Sequence, residues 1–233
     1  MNNKKESKAK IDTEISRRDF LKLSKDMVVG IGAGGVLTNI LWVNKGIAAI
    51  PVSEGYLLVD IKKCQGCVSC MLACSLVHEG TENLSLSRIQ IMQNSFQKWP
   101  DDVTIEQCRQ CVEPACVEAC PEGALTADPK HGNVRRVCKA KCVGCMACVE
   151  ACPYLPSRSV WNFEEDHAQK CDLCADAPYW VEKGGPDGTQ ACVEVCPVGA
   201  IKFTREIPQQ EGDKGYKVDL RGKSWKKLGY PID

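Results

Sequence analysis

The chain has 233 residues, a formal net charge of +0, 17 cysteines and only 6% aromatic residues. This length fits one or two domains, and so few aromatic residues beside so many cysteines indicate an interior built partly around inorganic groups. Residues 1–49 carry nine Lys and Arg against five Asp and Glu, so residues 50–233 carry 21 against 25, and this acidic body excludes a nucleic-acid partner because it repels the phosphate backbone.

The first 49 residues have the layout of an export signal. Residues 16–22 read Ser-Arg-Arg-Asp-Phe-Leu-Lys, which matches the twin-arginine motif, and a Gly-rich apolar stretch (27–43) precedes Ala48 and Ala49. This order is typical of a cleavable signal peptide. A retained membrane anchor is the alternative, because the apolar stretch has the minimum length for a span. We expect recognition by the twin-arginine export machinery and a periplasmic protein.

Sixteen of the 17 cysteines form four quartets. The first and third read C-x2-C-x2-C-x3-C, the bacterial ferredoxin pattern in which the fourth Cys ligates the other cluster of a pair. The second quartet opens one gap to four residues, and the fourth opens one to seventeen. Four quartets predict four 4Fe–4S clusters. The quartets are Cys64, Cys67, Cys70, Cys74; Cys108, Cys111, Cys116, Cys120; Cys142, Cys145, Cys148, Cys152; and Cys171, Cys174, Cys192, Cys196.

Two other uses of cysteine fit this pattern less well. An even number of cysteines in an exported chain usually indicates disulfides, but repeated C-x2-C-x2-C spacing places the thiols too close together for sixteen of them to pair. Zinc favours two-Cys knuckles and often His ligands, whereas His78, His131 and His167 lie outside the quartets. Cys138 is left over and is interpreted as a spare thiol. The domain should fold only when its clusters are inserted.

The residues that flank the quartets also repeat. Proline directly follows the last three quartets, at Pro121, Pro153 and Pro197, where it ends a helix. Short segments lead into two quartets, Leu-Leu-Val-Asp at residues 57–60 and Val-Arg-Arg-Val at residues 134–137. Each unit therefore predicts a strand, a Cys loop, one or two helical turns and a second strand. Two units make a ferredoxin-like module, so the fold class is α+β with two ferredoxin-like modules.

The predicted domain order is a signal peptide (1–49), a four-cluster domain (50–203) and a polar tail (204–233) expected to contact a partner. Residues 75–107 and 175–191 lack cysteine and are interpreted as insertions. The first insertion contains an alternating segment at residues 87–92, which predicts a strand. The second is a loop rich in Gly and Pro.

Several motifs resemble the four-cluster iron–sulfur subunits of molybdopterin oxidoreductases of the dimethyl-sulfoxide-reductase type. They are the order of the quartets, the C-x2-C-x4-C-x3-C-P form of the second, Cys152-Pro153-Tyr154, and Lys-Cys-Asp-Leu-Cys at 170–174. The resemblance spans residues 55–203. It implies that the outer quartets (64–74 and 171–196) exchange their fourth ligands, as do the inner ones (108–120 and 142–152).

This resemblance assigns the ligands of each cluster, and the C-x3-C step agrees with it, because one helical turn points the fourth thiol toward the neighbouring site. We number the sites by the resulting sets. Site 1 has Cys64, Cys67, Cys70 and Cys196; site 2 has Cys108, Cys111, Cys116 and Cys152; site 3 has Cys120, Cys142, Cys145 and Cys148; site 4 has Cys74, Cys171, Cys174 and Cys192.

The identity of the catalytic partner stays open between molybdenum and tungsten enzymes. Residues 74–80 and 87–91 are similar to small ferredoxin-type subunits that serve tungsten aldehyde oxidoreductases. We expect an electron relay between a Mo- or W-pterin catalytic subunit and a membrane quinone-reactive subunit or c-type cytochrome. The alternative is a free periplasmic carrier that docks transiently on cytochromes.

The chain is not expected to turn over a substrate. Each predicted cluster already has four thiolates, and the sequence shows no set of nucleophile and base. His78-Glu79-Gly80 is interpreted as a structural turn. Basic residues beside the ligands either raise the potentials of the clusters or are ordinary solvated charges. These residues are Lys62, Lys63, Arg109, Lys139, Lys141 and Lys170.

Overall fold

The computed structural model describes residues 49–229. The twin-arginine motif, the apolar stretch and the last residues of the tail lie outside this range. Within it, the strands are β1 (Tyr56–Val59), β2 (Gln90–Gln93), β3 (Val103–Glu106), β4 (Leu125–Asp128), β5 (Val134–Val137), β6 (Ser159–Asn162), β7 (His167–Lys170) and β8 (Ile201–Thr204). The α-helices are α1 (Ser69–Glu79), α2 (Ala115–Glu118), α3 (Ala147–Glu150), α4 (Ala191–Glu194) and α5 (Lys223–Lys227). Short 3-10 turns lie at Leu84–Leu86, Pro129–His131 and Lys139–Lys141.

The strands form four antiparallel pairs, and one pair joins the two ends of the domain. Strand β1 pairs with β8, so that Tyr56 lies opposite Thr204 and Val59 opposite Ile201. Strand β4 pairs with β5, β2 with β3, and β6 with β7. The predicted strands at residues 57–60 and 134–137 are therefore present as β1 and β5. In the first insertion, β2 begins later than the alternating segment predicted.

Helix contacts divide the quartets into the outer and inner pairs that the sequence predicted. Helix α1 packs against α4, and α2 packs against α3. The outer module thus combines the first and last quartets, and the inner module lies between them in the sequence. Each of α2, α3 and α4 has the same sequence, Ala-Cys-Val-Glu. The architecture is two modules of short helices and strands, with the inner module nested inside the outer one.

Helix α1 is longer than the sequence predicted because no proline follows Cys74. It continues through His78 and Glu79 and ends at Gly80, whose φ of 70° is in the left-handed region. Gly80 donates its backbone N–H to the carbonyl of Leu76 at 2.9 Å, which caps the helix. Glycine adopts this conformation without the steric cost of a side chain. His78 and Glu79 thus belong to the last turn of the helix and Gly80 caps it, whereas the sequence predicted a separate turn at these residues.

The tail packs against its own domain. Val59 donates to the carbonyl of Tyr216, and Val218 donates to the carbonyl of Val59, both at 2.9 Å. Tyr216 is fully buried, and its hydroxyl donates to the carbonyl of Arg109 at 2.6 Å. The tail therefore runs parallel to β1, and Lys217 forms an isolated β-bridge with Val59. A partner contact by the tail stays a prediction.

The core of the outer module consists of aliphatic side chains and cysteines. Leu57, Val59, Ile89, Ile105 and Ile201 are buried together with the thiols of the first, second and fourth quartets. This composition agrees with the low aromatic content of the sequence. Over residues 49–229, no helix combines the length and hydrophobicity needed to cross a bilayer.

Candidate metal centres

Three of the four predicted ligand sets each line one cavity. All four thiols of the set lie in the cavity wall at each of sites 1, 3 and 4. The walls are aliphatic: Ile91, Ile105 and Ile201 at site 1, and Leu125 and Val137 at site 3. In each cavity, one thiol comes from a different quartet from the other three. The structure thus brings together the cysteines that the sequence assigned; ligation itself stays a prediction.

The thiols of site 2 also lie close together. The charge of Cys111 interacts with those of Cys108, Cys116 and Cys152. Burial raises the pKa of Tyr154, and the neighbouring Cys111 contributes to the rise, so the Cys-Pro-Tyr motif places a tyrosine beside the site. Cys111 and Tyr154 also line a surface groove with Gln210 of the tail.

Backbone amides are directed at the fourth cysteine of every quartet. The thiol of Cys74 accepts from Arg88 at 3.4 Å, and that of Cys120 accepts from Leu125 at 3.4 Å. Similarly, Cys152 accepts from Arg158 and Cys196 from Ala200, both at 3.2 Å. N–H groups that point at sulfur stabilise a thiolate and tune the potential of a cluster bound through it. These contacts could not be predicted from the sequence, because they depend on the backbone conformation of the residues that follow each quartet.

The thiols oppose one another's ionisation, so a cationic centre would fit between them. Burial raises the pKa of Cys70 to about 12, and the neighbouring Cys64 and Cys196 contribute to the rise. Burial likewise raises the pKa of Cys174 to about 12, with a further contribution from Cys74. Thiolates at this density are stable only around a positive core. The donor set of sixteen cysteines therefore fits iron–sulfur clusters.

No three His, Cys, Asp or Glu side chains between residues 49 and 229 are arranged as the ligands of one metal ion. Tetrahedral zinc holds sulfur at about 2.3 Å, which places its ligand sulfurs about 3.8 Å apart. A cubane holds each thiolate on a different iron and needs a wider cage.

The four sites lie in an unbroken row. Cys192 of site 4 interacts with Cys70 of site 1, and Cys171 of site 4 interacts with Cys108 of site 2. Cys148 of site 3 interacts with Cys116 of site 2. The order is therefore site 1, site 4, site 2 and site 3.

Both ends of this row reach the surface. Cys67 of site 1 and Cys145 of site 3 are exposed, whereas all four cysteines of site 4 are buried. A partner can therefore approach the row at either end, while the cysteines of site 4 stay buried. Cys138 is exposed and is absent from the walls of the three thiol cavities, which agrees with its interpretation as a spare thiol.

The six basic residues that flank the ligands differ in their surroundings. Arg109 and Lys170 are buried, at 0% and 4% exposure, whereas Lys139 and Lys141 are exposed. Lys62 and Lys63 are half-buried. The sequence did not single out Arg135 and Arg158, which are also buried, since a basic residue away from the ligand motifs gives no sign of its burial.

Comparison with known proteins identifies the family. Two sequence families, each described as a 4Fe-4S dicluster domain, match residues 56–121 and 101–206. The thiosulfate reductase electron transfer subunit PhsB of Salmonella typhi is 33% identical over 167 residues, which cover 68% of this chain and 81% of PhsB. This chain belongs to the 4Fe-4S dicluster family. The family confirms the predicted class, an iron–sulfur electron-transfer subunit with ferredoxin-like dicluster modules.

Other relatives are longer than the matched region. The hydrogenase-2 operon protein HybA of Escherichia coli O157:H7 is 32% identical over 227 residues, 86% of this chain and 66% of HybA. The NADH-dependent phenylglyoxylate dehydrogenase subunit beta of Aromatoleum evansii is 37% identical over 158 residues, 66% of this chain and 31% of that subunit. The chain therefore spans about a third to two thirds of these two proteins.

Proposed function

We propose that this protein holds four 4Fe–4S clusters and relays single electrons between a Mo- or W-pterin catalytic subunit and a membrane quinone-reactive subunit or c-type cytochrome. The observation that carries the proposal is the continuous row of four thiol sites with an exposed cysteine at each end. A bound 4Fe–4S cluster takes up and releases one electron at a time. The chain's role is to hold the ligands, exclude water and set the potentials. It turns over no substrate of its own.

Cluster content tests the number of sites. The matured protein should contain about sixteen iron atoms and sixteen acid-labile sulfides per chain. Cys138→Ser should keep the full content, because Cys138 lies outside the ligand sets, whereas Cys145→Ser should alter site 3. A content near eight, or bound zinc, would contradict the four-cluster proposal.

Crossed ligation is the finer part of the proposal, and it is supported by the position of Cys196 beside Cys64, Cys67 and Cys70. Cys196→Ser should perturb the same electron paramagnetic resonance signal as Cys64→Ser. It should leave the signal that Cys171→Ser perturbs. Agreement between Cys196→Ser and Cys171→Ser instead would mean that each quartet holds its own cluster.

We further propose that the twin-arginine machinery exports the folded protein to the periplasm and that the signal peptide is cleaved. The support is the motif at residues 16–22 followed by the apolar stretch. Replacing Arg17 and Arg18 with Lys should leave the protein in the cytoplasm with its clusters intact. Normal export of this double variant would show that another route is used, and the N-terminal sequence of the exported protein distinguishes cleavage from anchoring.

Permanent association with a catalytic subunit is favoured over a free carrier. The relative PhsB is named as the electron transfer subunit of thiosulfate reductase, and exposed apolar side chains such as Val143 lie in the loop of site 3. Affinity purification from membranes should recover a large subunit that contains molybdenum or tungsten. Recovery of the chain alone from the soluble fraction, with reduction by cytochromes, would favour the free carrier.

A further inference from the structure

Four buried basic side chains lie around site 2. Arg109 and Arg135 are 0% exposed, Lys170 is 4% exposed and Arg158 is 6% exposed. Lys170 directly precedes Cys171, whose carbonyl accepts from Gln110, between Cys108 and Cys111, at 2.7 Å, and the charge of Lys170 interacts with the thiols of Cys108 and Cys116. Arg135 interacts with Cys108 and Cys111 of the same site. We call these four side chains the basic collar.

The other two members of the basic collar, Arg158 and Arg109, lie beside the edge of site 2. Arg158 donates its backbone N–H to the thiol of Cys152 at 3.2 Å, and its guanidinium lies 5.6 Å from the ring of Tyr154. Arg109 lies at the same distance from Tyr154, which lines a surface groove with Cys111. Both guanidinium groups therefore lie beside the edge of site 2.

Carboxylates neutralise only half of the basic collar. Arg109 pairs with Asp213, and Arg158 pairs with Glu106. Arg135 instead donates to the carbonyls of Pro51, Asn133 and Cys111 at 2.6 to 2.8 Å. Among the ion pairs of residues 49–229, none includes Arg135 or Lys170. Two buried positive charges thus remain without a carboxylate partner.

Arginine donors also remain available at this site. In the part of the chain that the structure describes, the Nε atoms of Arg109, Arg135 and Arg158 are buried without a hydrogen-bond partner. A buried donor without an acceptor destabilises the folded protein. The cost falls when a sulfur-rich anion lies beside these groups, so their presence fits a site that carries negative charge.

The other three sites have fewer buried cations. At site 4, Arg88 is shared by Asp172 and Glu79. At site 1, Lys63 is half-buried and donates to the carbonyls of Gly199 and Leu220.

At site 3, Lys139 is exposed and pairs with Glu165. Lys141, which directly precedes Cys142, is exposed as well. Exposed charges are screened by water and salt and contribute little. Of the four sites, site 2 therefore has the most positive surroundings.

Resting on the proposed function, we propose that the basic collar makes site 2 the most easily reduced site of the relay, with Lys170 and Arg135 as the residues that set its potential. Reduction adds one negative charge to the bound cluster, and a nearby cation stabilises that charge more strongly in the protein interior than in water. Site 2 lies inside the row, between sites 4 and 3. An electron entering from either end therefore rests at site 2 before it leaves.

A potentiometric titration of the cluster-loaded protein, followed by electron paramagnetic resonance, tests this proposal. The first signal to appear on reduction should be the one that Cys111→Ser alters, since Cys111 belongs to site 2. Lys170→Met removes the charge and keeps the stem. It should lower the reduction equilibrium constant of site 2 at least tenfold, which is 59 mV for one electron. Lys170→Arg should restore most of the shift.

Lys141→Met is the matched control, because Lys141 also precedes a ligand but is exposed; it should leave all four potentials unchanged. The proposal is overturned if Lys170→Met leaves the midpoint of site 2 unchanged or if another site is reduced first in the wild-type protein. The second observation needs no variant of Lys170, so it decides the question even if Lys170→Met fails to mature. Iron content separates the two proposals: sixteen iron atoms with a different order of potentials would refute the basic collar alone.

Discussion

Asp60→Asn should release the tail from the domain. Asp60 is 2% exposed, and one carboxylate oxygen accepts from the backbone of Lys62 and Lys63, each at 3.1 Å. The other accepts from the backbone of Leu220 at 2.8 Å and from the Nε of Arg221 at 3.2 Å. Asparagine can keep the first pair of bonds. The amide NH₂ of the asparagine would then face the backbone N–H of Leu220 and the Nε of Arg221, so that donors would lie opposite donors.

The size of the effect follows from these contacts. Removing one partner of a buried ion pair costs about 3–5 kcal/mol. Arg221 keeps Asp219 at 3.0 Å, so we expect the lower end, about 3 kcal/mol. Since each 1.4 kcal/mol changes an equilibrium constant about tenfold, the opened tail should become about a hundredfold more populated.

Hydrogen exchange measures this opening. The amide of Val218, which donates to Val59 at 2.9 Å, should exchange about a hundredfold faster in Asp60→Asn, while amides of β4 and β5 keep their rates. Glu211→Gln is the control, because its pair with Lys214 is exposed, at 73% and 67%, and contributes almost nothing. Unchanged exchange at Val218 in Asp60→Asn would refute the assignment of Asp60 as the anchor of the tail.

Three further predictions concern the domain itself. Gly55→Ala would place a methyl group 2.6 Å from Phe203 and 2.7 Å from Leu173, which should lower the free energy of unfolding by about 1–3 kcal/mol. The variant should therefore lose its cluster absorbance at a lower temperature than the wild-type protein. Ile105→Ala opens the wall of site 1 at a residue that is 1% exposed; it should cost about 2–5 kcal/mol, and air should degrade the site 1 signal before the others. Removing the clusters with a chelator under oxidising conditions should abolish slow hydrogen exchange in β1 and β8, because the thiols would lose their counterions.

The spacing of the cysteines predicted where the short helices and two of the strands lie, because most of the cysteines within a quartet are separated by only a few residues. Prolines 121, 153 and 197 mark the ends of the short helices, and the segments before two quartets form strands β1 and β5. These features are local. They depend on residues close together in the sequence.

Other parts of the fold depend on distant residues, and the sequence did not show them. Strand β7 reads His-Ala-Gln-Lys and is buried throughout, although its polarity is typical of a loop. The tail carries few apolar residues, yet Tyr216 and Arg221 are buried because Arg109 and Asp60 supply their partners. Likewise, six basic residues near the ligands look alike in the sequence, and only tertiary packing separates buried Lys170 from exposed Lys141.

Because the inner module is nested between the two halves of the outer one, the ribosome completes the inner module first. All predicted ligands of the inner module have left the ribosome once Cys152 emerges, whereas Cys64, Cys67 and Cys70 must wait for Cys196, which lines the same cavity. Strand β1 likewise stays unpaired until β8 is made, and closing so long a loop is slow. The inner module can therefore mature first. A chain that stops early lacks the outer module altogether, so pairing of β1 with β8 distinguishes complete chains from truncated ones.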